Sequence, residues 1–209
     1  MKELKVKICG ITSPEDAIAA CDAGADFIGL IFVPSSPRYV TREKAETIVR
    51  ALRSRGRIGP QVVGVFRDAS IDEMERTAET VELDLLQLHG HEAPRVIEEL
   101  SLPAIKAFRV HEKLPPTDAY DSAAWHMFDT FHPTQDGGTG TVFDWSLLSR
   151  HSSDRPFFLA GGLDPDNAVE AITRVGPDAI DLSSGLEESP GVKSHSKINA
   201  LFRNLRSRT

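Results

Sequence analysis

One pattern recurs along the chain: a short apolar run rich in β-branched residues, a polar or glycine-containing turn, then a stretch with apolar positions three and four residues apart. The runs are Val6–Cys9, Phe27–Phe32, Val62–Phe66, Leu85–His89, Ala104–Phe108, His126–Asp129, Phe157–Ala160 and Ala179–Leu182, eight in all. They are apolar throughout rather than alternating, the mark of strands covered on both faces of a parallel sheet. Helix ends are signed by their own chemistry. Ser13-Pro14-Glu15-Asp16 offers an N-cap, a proline at the first helical position and two acids in the first turn, and Gly24 offers the stop. Thr41 predicts a cap for a helix with Ala45, Ile48, Val49 and Leu52 on its inner face, and Ser70 with Glu73 forms a capping-box pair before Met74, Ala78 and Val81. Asp164-Pro165 is expected to open a helix carrying Ala168, Val169, Ile172 and Val175, with Gly176 ending it. The last helix shows Ile198, Leu201, Phe202 and Leu205 on one stripe. The fifth crossover, Leu114–Ala124, contains two prolines and reads as a turn or a short helix.

Eight strand–helix units without a Pro/Gly/Ser-rich linker predict one α/β domain over residues 1–209, a closed parallel (β/α)8 barrel. An open doubly wound sheet is the alternative, because periodicity does not show closure. The composition, 40% apolar and 26% charged with a net charge of -7, excludes a mainly disordered chain. The acidic balance argues against general nucleic-acid or membrane-surface binding but leaves room for a local basic site for a small anion. The two cysteines, Cys9 and Cys21, are too few for a disulfide framework, which favours a reducing compartment. With no apolar run of membrane-spanning length and no secretory pattern at the N-terminus, a cytoplasmic protein is expected. Apolar residues on the outer helices are compatible with a monomer or a homodimer.

Barrels carry their chemistry at the C-terminal ends of the strands, and polar and glycine residues gather there in this sequence. Three glycine-containing loops follow the last three strands: Gly137-Gly138-Thr139-Gly140, Gly161-Gly162 and Ser183-Ser184-Gly185. Singly each is ordinary turn chemistry; together, in these positions, they point to backbone N–H groups cradling a phosphate. Cys9 ends the first strand and Asp129 the sixth. A free cysteine is most often a small buried apolar residue, which suits Cys21, but a thiol and a carboxyl at the barrel mouth can also serve as general base and general acid. Arg38, in Ser36-Pro37-Arg38, is either a clamp for a substrate carboxylate or a surface arginine. Gln87 and His89 share a face by the two-residue strand period and can both reach substrate. His89 and His91 lack the further ligands of a zinc site, so no metal is expected. The remaining histidines, His111, His126, His132, His151 and His195, read as structural or solvated.

These residues carry a resemblance that spans nearly the whole chain. Lys7-Ile8-Cys9-Gly10-Ile11-Thr12, Ser36-Pro37-Arg38, Leu86-Gln87-Leu88-His89-Gly90, Phe128-Asp129, Gly137–Gly140, Ala160-Gly161-Gly162-Leu163, and Asp181 to Gly185 with Glu187 and Pro190-Gly191 together resemble the phosphoribosylanthranilate isomerase family. The resemblance implies an aldose–ketose isomerase of tryptophan biosynthesis, working without cofactor or metal. It would convert N-(5'-phosphoribosyl)anthranilate into 1-(2-carboxyphenylamino)-1-deoxyribulose 5-phosphate by an Amadori rearrangement. By that analogy Asp129 is the general acid and Cys9 the general base. Arg38 would hold the anthranilate carboxylate. Gly162, Ser184 and Gly185, helped by Gly138 and Thr139, would hold the phosphate. Departures from the family pattern at Met127–Thr130, His91 and Lys193-Ser194 remove none of these groups. Two rival readings are a histidine-pathway type of phosphosugar isomerase, which would carry aspartate rather than cysteine after the first strand, and a non-catalytic phosphate-binding barrel.

Overall fold

The computed structural model of the chain describes residues 3–56, 59–110, 112–130, 145–150 and 155–207. Eight parallel strands form a closed barrel: β1 (Lys5–Cys9), β2 (Phe27–Ile31), β3 (Gln61–Phe66), β4 (Leu85–Leu88), β5 (Ala104–Val110), β6 (Trp125–Thr130), β7 (Phe157–Leu159) and β8 (Ala179–Leu182). Closure, open on the sequence alone, is made by β8 pairing with β1 through Ala179–Lys5 to Leu182–Ile8. The strands are buried on both faces, as their apolar continuity predicts. Their outward residues meet the helices in the larger core, while Phe27, Val63, Leu85, Ile105, Met127 and Phe158 fill the barrel interior. Interior and exterior positions alternate with period two.

The helices outside the barrel are α1 (Pro14–Ala23), α2 (Arg42–Arg53), α3 (Ile71–Val81), α4 (Pro94–Glu99), α5 (Ala168–Val175) and α6 (His195–Arg206). Ser13, Thr41 and Ser70 accept from the backbone N–H three residues on, the caps their positions predict. Gly24 ends α1 in the left-handed region at φ 112°. α5 begins later than Asp164-Pro165 suggests. The Asp164 carboxylate accepts from the N–H groups of Asp166 and Asn167, and Asn167 Oδ1 accepts from the Asp164 N–H. That side-chain-closed turn competes with the first helical turn, so the helix starts at Ala168. The proline-containing fifth crossover holds one 3₁₀ turn, Asp118–Tyr120, and a second 3₁₀ segment, Trp145–Arg150, precedes β7. After β8 a 3₁₀ turn (Ser184–Leu186) leads into a small hairpin, β9 (Glu187–Ser189) and β10 (Val192–Lys193), laid against the mouth. No helix among the described residues is long and apolar enough to cross a membrane.

Candidate active site

The inward-facing residue at the C-terminal end of each strand opens into one cavity of about 480 Å³. Period two puts Cys9, Gln87, Asp129 and Asp181 on the inner face of their strands, and all four line this space. Arg38, His89, Gly161, Gly162 and Ser184 line it from the loops beyond the strands. Gly185 lies behind the lining: a Cβ there would overlap the Leu163 carbonyl oxygen, so glycine lets the turn after β8 press against the loop after β7. Gly161 and Gly162 take φ of 91° and 67°, a left-handed pair that L side chains resist. Gly138 and Thr139 lie outside the described residues.

On the β1/β8 side the cavity wall is built of buried charge. The Lys7 ammonium, fully buried, donates to Asp181 Oδ1 at 2.9 Å. Burial alone would lower its pKa, but the charges of Asp181 and Cys9 outweigh that and hold it above the usual lysine value. Burial pushes the Cys9 thiol up, Lys7 pulls it back, and Asp181 adds to the rise. Arg38 is buried, and its guanidinium meets Glu187 in a two-pronged pair, Nε to Oε1 and Nη2 to Oε2, each 2.8 Å. Glu187 Oε1 also takes Lys193 Nζ at 2.8 Å. Arg38 is therefore not the surface arginine of the two the sequence left open. It is a mouth residue held in place by a buried carboxylate. Gly10 permits this arrangement, because a Cβ there would stand 2.6 Å from Arg38 Cδ.

On the β4/β6 side the groups are joined in a row. His89 Nε2 lies 3.2 Å from Asp129 Oδ2. Gln87 Nε2 donates to His89 Nδ1 at 2.9 Å, so the neutral imidazole carries its hydrogen on Nε2, toward the carboxylate. Behind His89, Glu92 accepts from the N–H groups of Asp68 and Gly90, and its Oε2 takes the buried Lys106 ammonium at 2.6 Å. That pair fixes the loop carrying His89. His126 fits the structural reading: it faces away from the cavity, fully buried, with Nε2 3.2 Å from the Tyr120 carbonyl and its ring against Phe108. Among the described residues no group of three His, Cys, Asp or Glu side chains is placed to hold a metal ion.

Lys7, Asp181, Glu187 and Lys193 received no site role from the sequence. For the first two a signal was present. Lys7 stands two residues before Cys9 and Asp181 two before Ser183, so both share the face of a residue at the mouth. Glu187 and Lys193 come to the mouth only through the hairpin after β8, which local pattern does not reveal.

A parallel eight-stranded barrel whose charged and hydrogen-bonding side chains converge on one cavity at the strand C-termini defines a (β/α)8-barrel enzyme. Its kind is given by comparison. The chain belongs to the N-(5'-phosphoribosyl)anthranilate (PRA) isomerase family, whose model matches residues 6–204. The N-(5'-phosphoribosyl)anthranilate isomerase of Geobacter sp. (strain M21) is 45% identical over 196 residues, 93% of this chain and 94% of that relative. The phosphoribosyl anthranilate isomerase of Thermus thermophilus superposes with a TM-score of 0.87 at 38% identity, covering 99% of this chain and all of that one. A further phosphoribosyl anthranilate isomerase, solved in complex with reduced 1-(o-carboxyphenylamino)-1-deoxyribulose 5-phosphate, superposes with a TM-score of 0.78 at 32% identity, covering 98% of this chain and 99% of that one.

Proposed function

We infer that Cys9 and Asp129 divide the proton transfers of the reaction that family membership assigns to this chain, the Amadori rearrangement of N-(5'-phosphoribosyl)anthranilate in tryptophan biosynthesis. The observation that carries the assignment is that a thiol on β1 and a carboxyl on β6 line the same cavity from different walls. Asp129, in its acid form, gives a proton to the ribose ring oxygen. The C1'–O bond breaks and the nitrogen lone pair forms the Schiff base. Cys9, as thiolate, takes the proton from C2', and the electron pair of that C–H bond moves to make the enolamine. The protons released, one from C2' to Cys9 and one from the enol hydroxyl, return to C1' and to Asp129, and the 2-ketone is left. No atom is gained or lost and no electron leaves the substrate, so the sequence of steps closes with acid and base restored.

Binding follows the same division of the cavity. His89 donates to Asp129 Oδ2 and leaves Oδ1 as the oxygen that carries the transferred proton. Gln87 sets that tautomer. Arg38, oriented by Glu187, meets the anthranilate carboxylate. Gly161, Gly162 and Ser184 offer the phosphate a glycine-rich backbone, Gly185 allows the close turn behind them, and Gly138 and Thr139 are the further candidates from the sequence. The substrate is a phosphoribosyl compound of small size, and the whole chain acts as one barrel domain, in the cytoplasm, as a monomer or a homodimer without nucleic-acid or membrane partners. The test follows the fluorescence of freshly generated phosphoribosylanthranilate. Its loss with the wild type and persistence with Cys9→Ala is expected; no loss with folded wild type would move the reading to another phosphosugar.

A further inference from the structure

The Cys9 sulfur and the Lys7 ammonium crowd one spot in the barrel. A Cβ built on Gly29 of β2 would stand 2.7 Å from Cys9 Sγ and 3.0 Å from Lys7 Nζ, so both groups occupy the space left by a missing side chain. Nothing but glycine fits there, so the ammonium and the thiol share one corner of the barrel. The Lys7 side chain is fully buried, and a lysine so placed keeps its proton only beside negative charge. Asp181 provides one such charge.

The groups around Cys9 set the charge its sulfur meets. Facing Cys9 are Lys7 from its own strand and Asp181 from β8, while β2 contributes only Gly29. Arg38 in the loop before α2 and Lys193 in β10 act on it by charge, and both are tied to Glu187. Elsewhere around the cavity stand Arg67, His89, Arg109 and Asp129. Burial draws Lys193 below the usual lysine value and pushes the Cys9 thiol up, and the fully buried Lys7 beside Cys9 supplies the main positive charge working against that rise. We propose that Lys7 is a positioning residue for catalysis: its ammonium, anchored by Asp181 and lying beside the Cys9 sulfur, lowers the cost of forming the thiolate that abstracts the C2' proton. The proposal rests on Cys9 being the base, and it gives Asp181 a role of opposite sign, since its own charge opposes the thiolate.

The opposite signs make the test. Cys9 is titrated in a Cys21→Ser background by the pH dependence of iodoacetamide alkylation, without substrate, so that only one thiol reports. Lys7→Met is expected to slow alkylation at pH 7.5 by about tenfold or more and to move the profile to higher pH, a shift of about one unit per tenfold change in thiolate. Asp181→Asn, which keeps the cation, is expected to speed it several-fold and move the profile down. Lys7→Arg should restore a profile close to wild type. A purely structural ion pair would leave the thiol profile in place in both single variants, and that result overturns the proposal. Should Lys7→Met fail to fold, Asp181→Asn decides alone: a profile that stays or rises overturns it. The reading of Cys9 as base fails separately, if Cys9→Ala still turns over substrate.

Discussion

On the β1/β8 wall of the mouth, Lys7 and Lys193 are wholly buried and Glu187 leaves only 4% of its side chain exposed; on the β4/β6 wall, His89 and Asp129 keep 22% and 12%. The first wall fixes its protons by pairing charge with charge out of reach of solvent. The second joins a partly exposed imidazole to a buried amide. The difference suits the two tasks. A base that must be ionised at the start of each cycle gains from a surrounding that favours one charge state. An acid that must lose and regain a proton in each cycle gains from contact with a group able to shift its own hydrogen, and from a route to solvent. Each wall thus carries one reacting group, Cys9 among paired buried charges and Asp129 beside a partly exposed imidazole.

The comparison breaks first on the reacting groups. Cys9→Ala and Asp129→Asn are each expected to lower kcat by about a thousandfold, the range that a general base or acid supplies. Alkaline buffer should recover neither. If either variant keeps wild-type kcat in a fluorescence-decay assay, that wall has no proton to move and the division fails.

The dry wall is sharpened by Glu187→Gln. Burial alone would raise the Glu187 carboxyl, but Arg38 and Lys193 outweigh it and hold it below the usual carboxylate range. Removing the charge leaves two buried cations with one neutral partner, a loss of about 3 kcal/mol of stability at neutral pH. The sign with pH is fixed. The folded pKa is depressed, so the contribution is complete above the unfolded value near ~4.3 and is lost as pH falls through the folded value. Denaturant midpoints of wild type and variant should stay apart from pH 8 to pH 5 and converge in more acidic buffer. A constant separation down to pH 3 would show that Glu187 works by shape alone. KM should rise as well, because Arg38 loses the partner that orients it.

The solvent-reachable wall predicts a smaller effect for His89→Ala. This substitution removes the hydrogen bond to Asp129 but not the carboxyl, so kcat should fall by about ten- to a hundredfold with little change in KM. An equal rise in KM would make His89 a binding group instead. Gln87→Leu, which removes the donor to Nδ1, should reproduce part of the loss in kcat.

How far the sequence discloses each wall follows the range of the signal. The strands, their inward faces and the caps at Ser13, Thr41 and Ser70 are local patterns, and they are legible from composition and spacing within a few residues. Closure is not, because the pairing of Leu182 with Ile8 joins the two ends of the chain. Around the mouth Cys9, Gln87, His89 and Asp129 stand out as polar endings of apolar strands. Lys7 is legible only by following the inward face back two residues from Cys9; taken alone between Val6 and Ile8 it looks like an edge or solvent residue. The bond between Arg38 and Glu187 spans 149 residues, and only the hairpin laid on the mouth brings the two together. The late start of α5 has the opposite cause. The signal at Asp164-Pro165 is local and real, yet the same aspartate that could cap a helix closes a tighter turn.

The smallest expected effect lies on neither wall. Ser70 caps α3 by accepting from the Glu73 N–H at 3.2 Å, on the outer helical layer and away from the cavity. Ser70→Ala leaves that donor to solvent and should cost about 1 kcal/mol of stability. For a chain of this length that lowers Tm by roughly 2–4 °C, readable in a thermal melt. Because the inner layer of the barrel, which places Cys9 and Asp129, does not depend on this cap, kcat and KM should be unchanged well below the transition. A fall in kcat at 25 °C would mean that the helical layer transmits strain to the mouth. The electrostatic division between its walls would then no longer be set by their own residues alone.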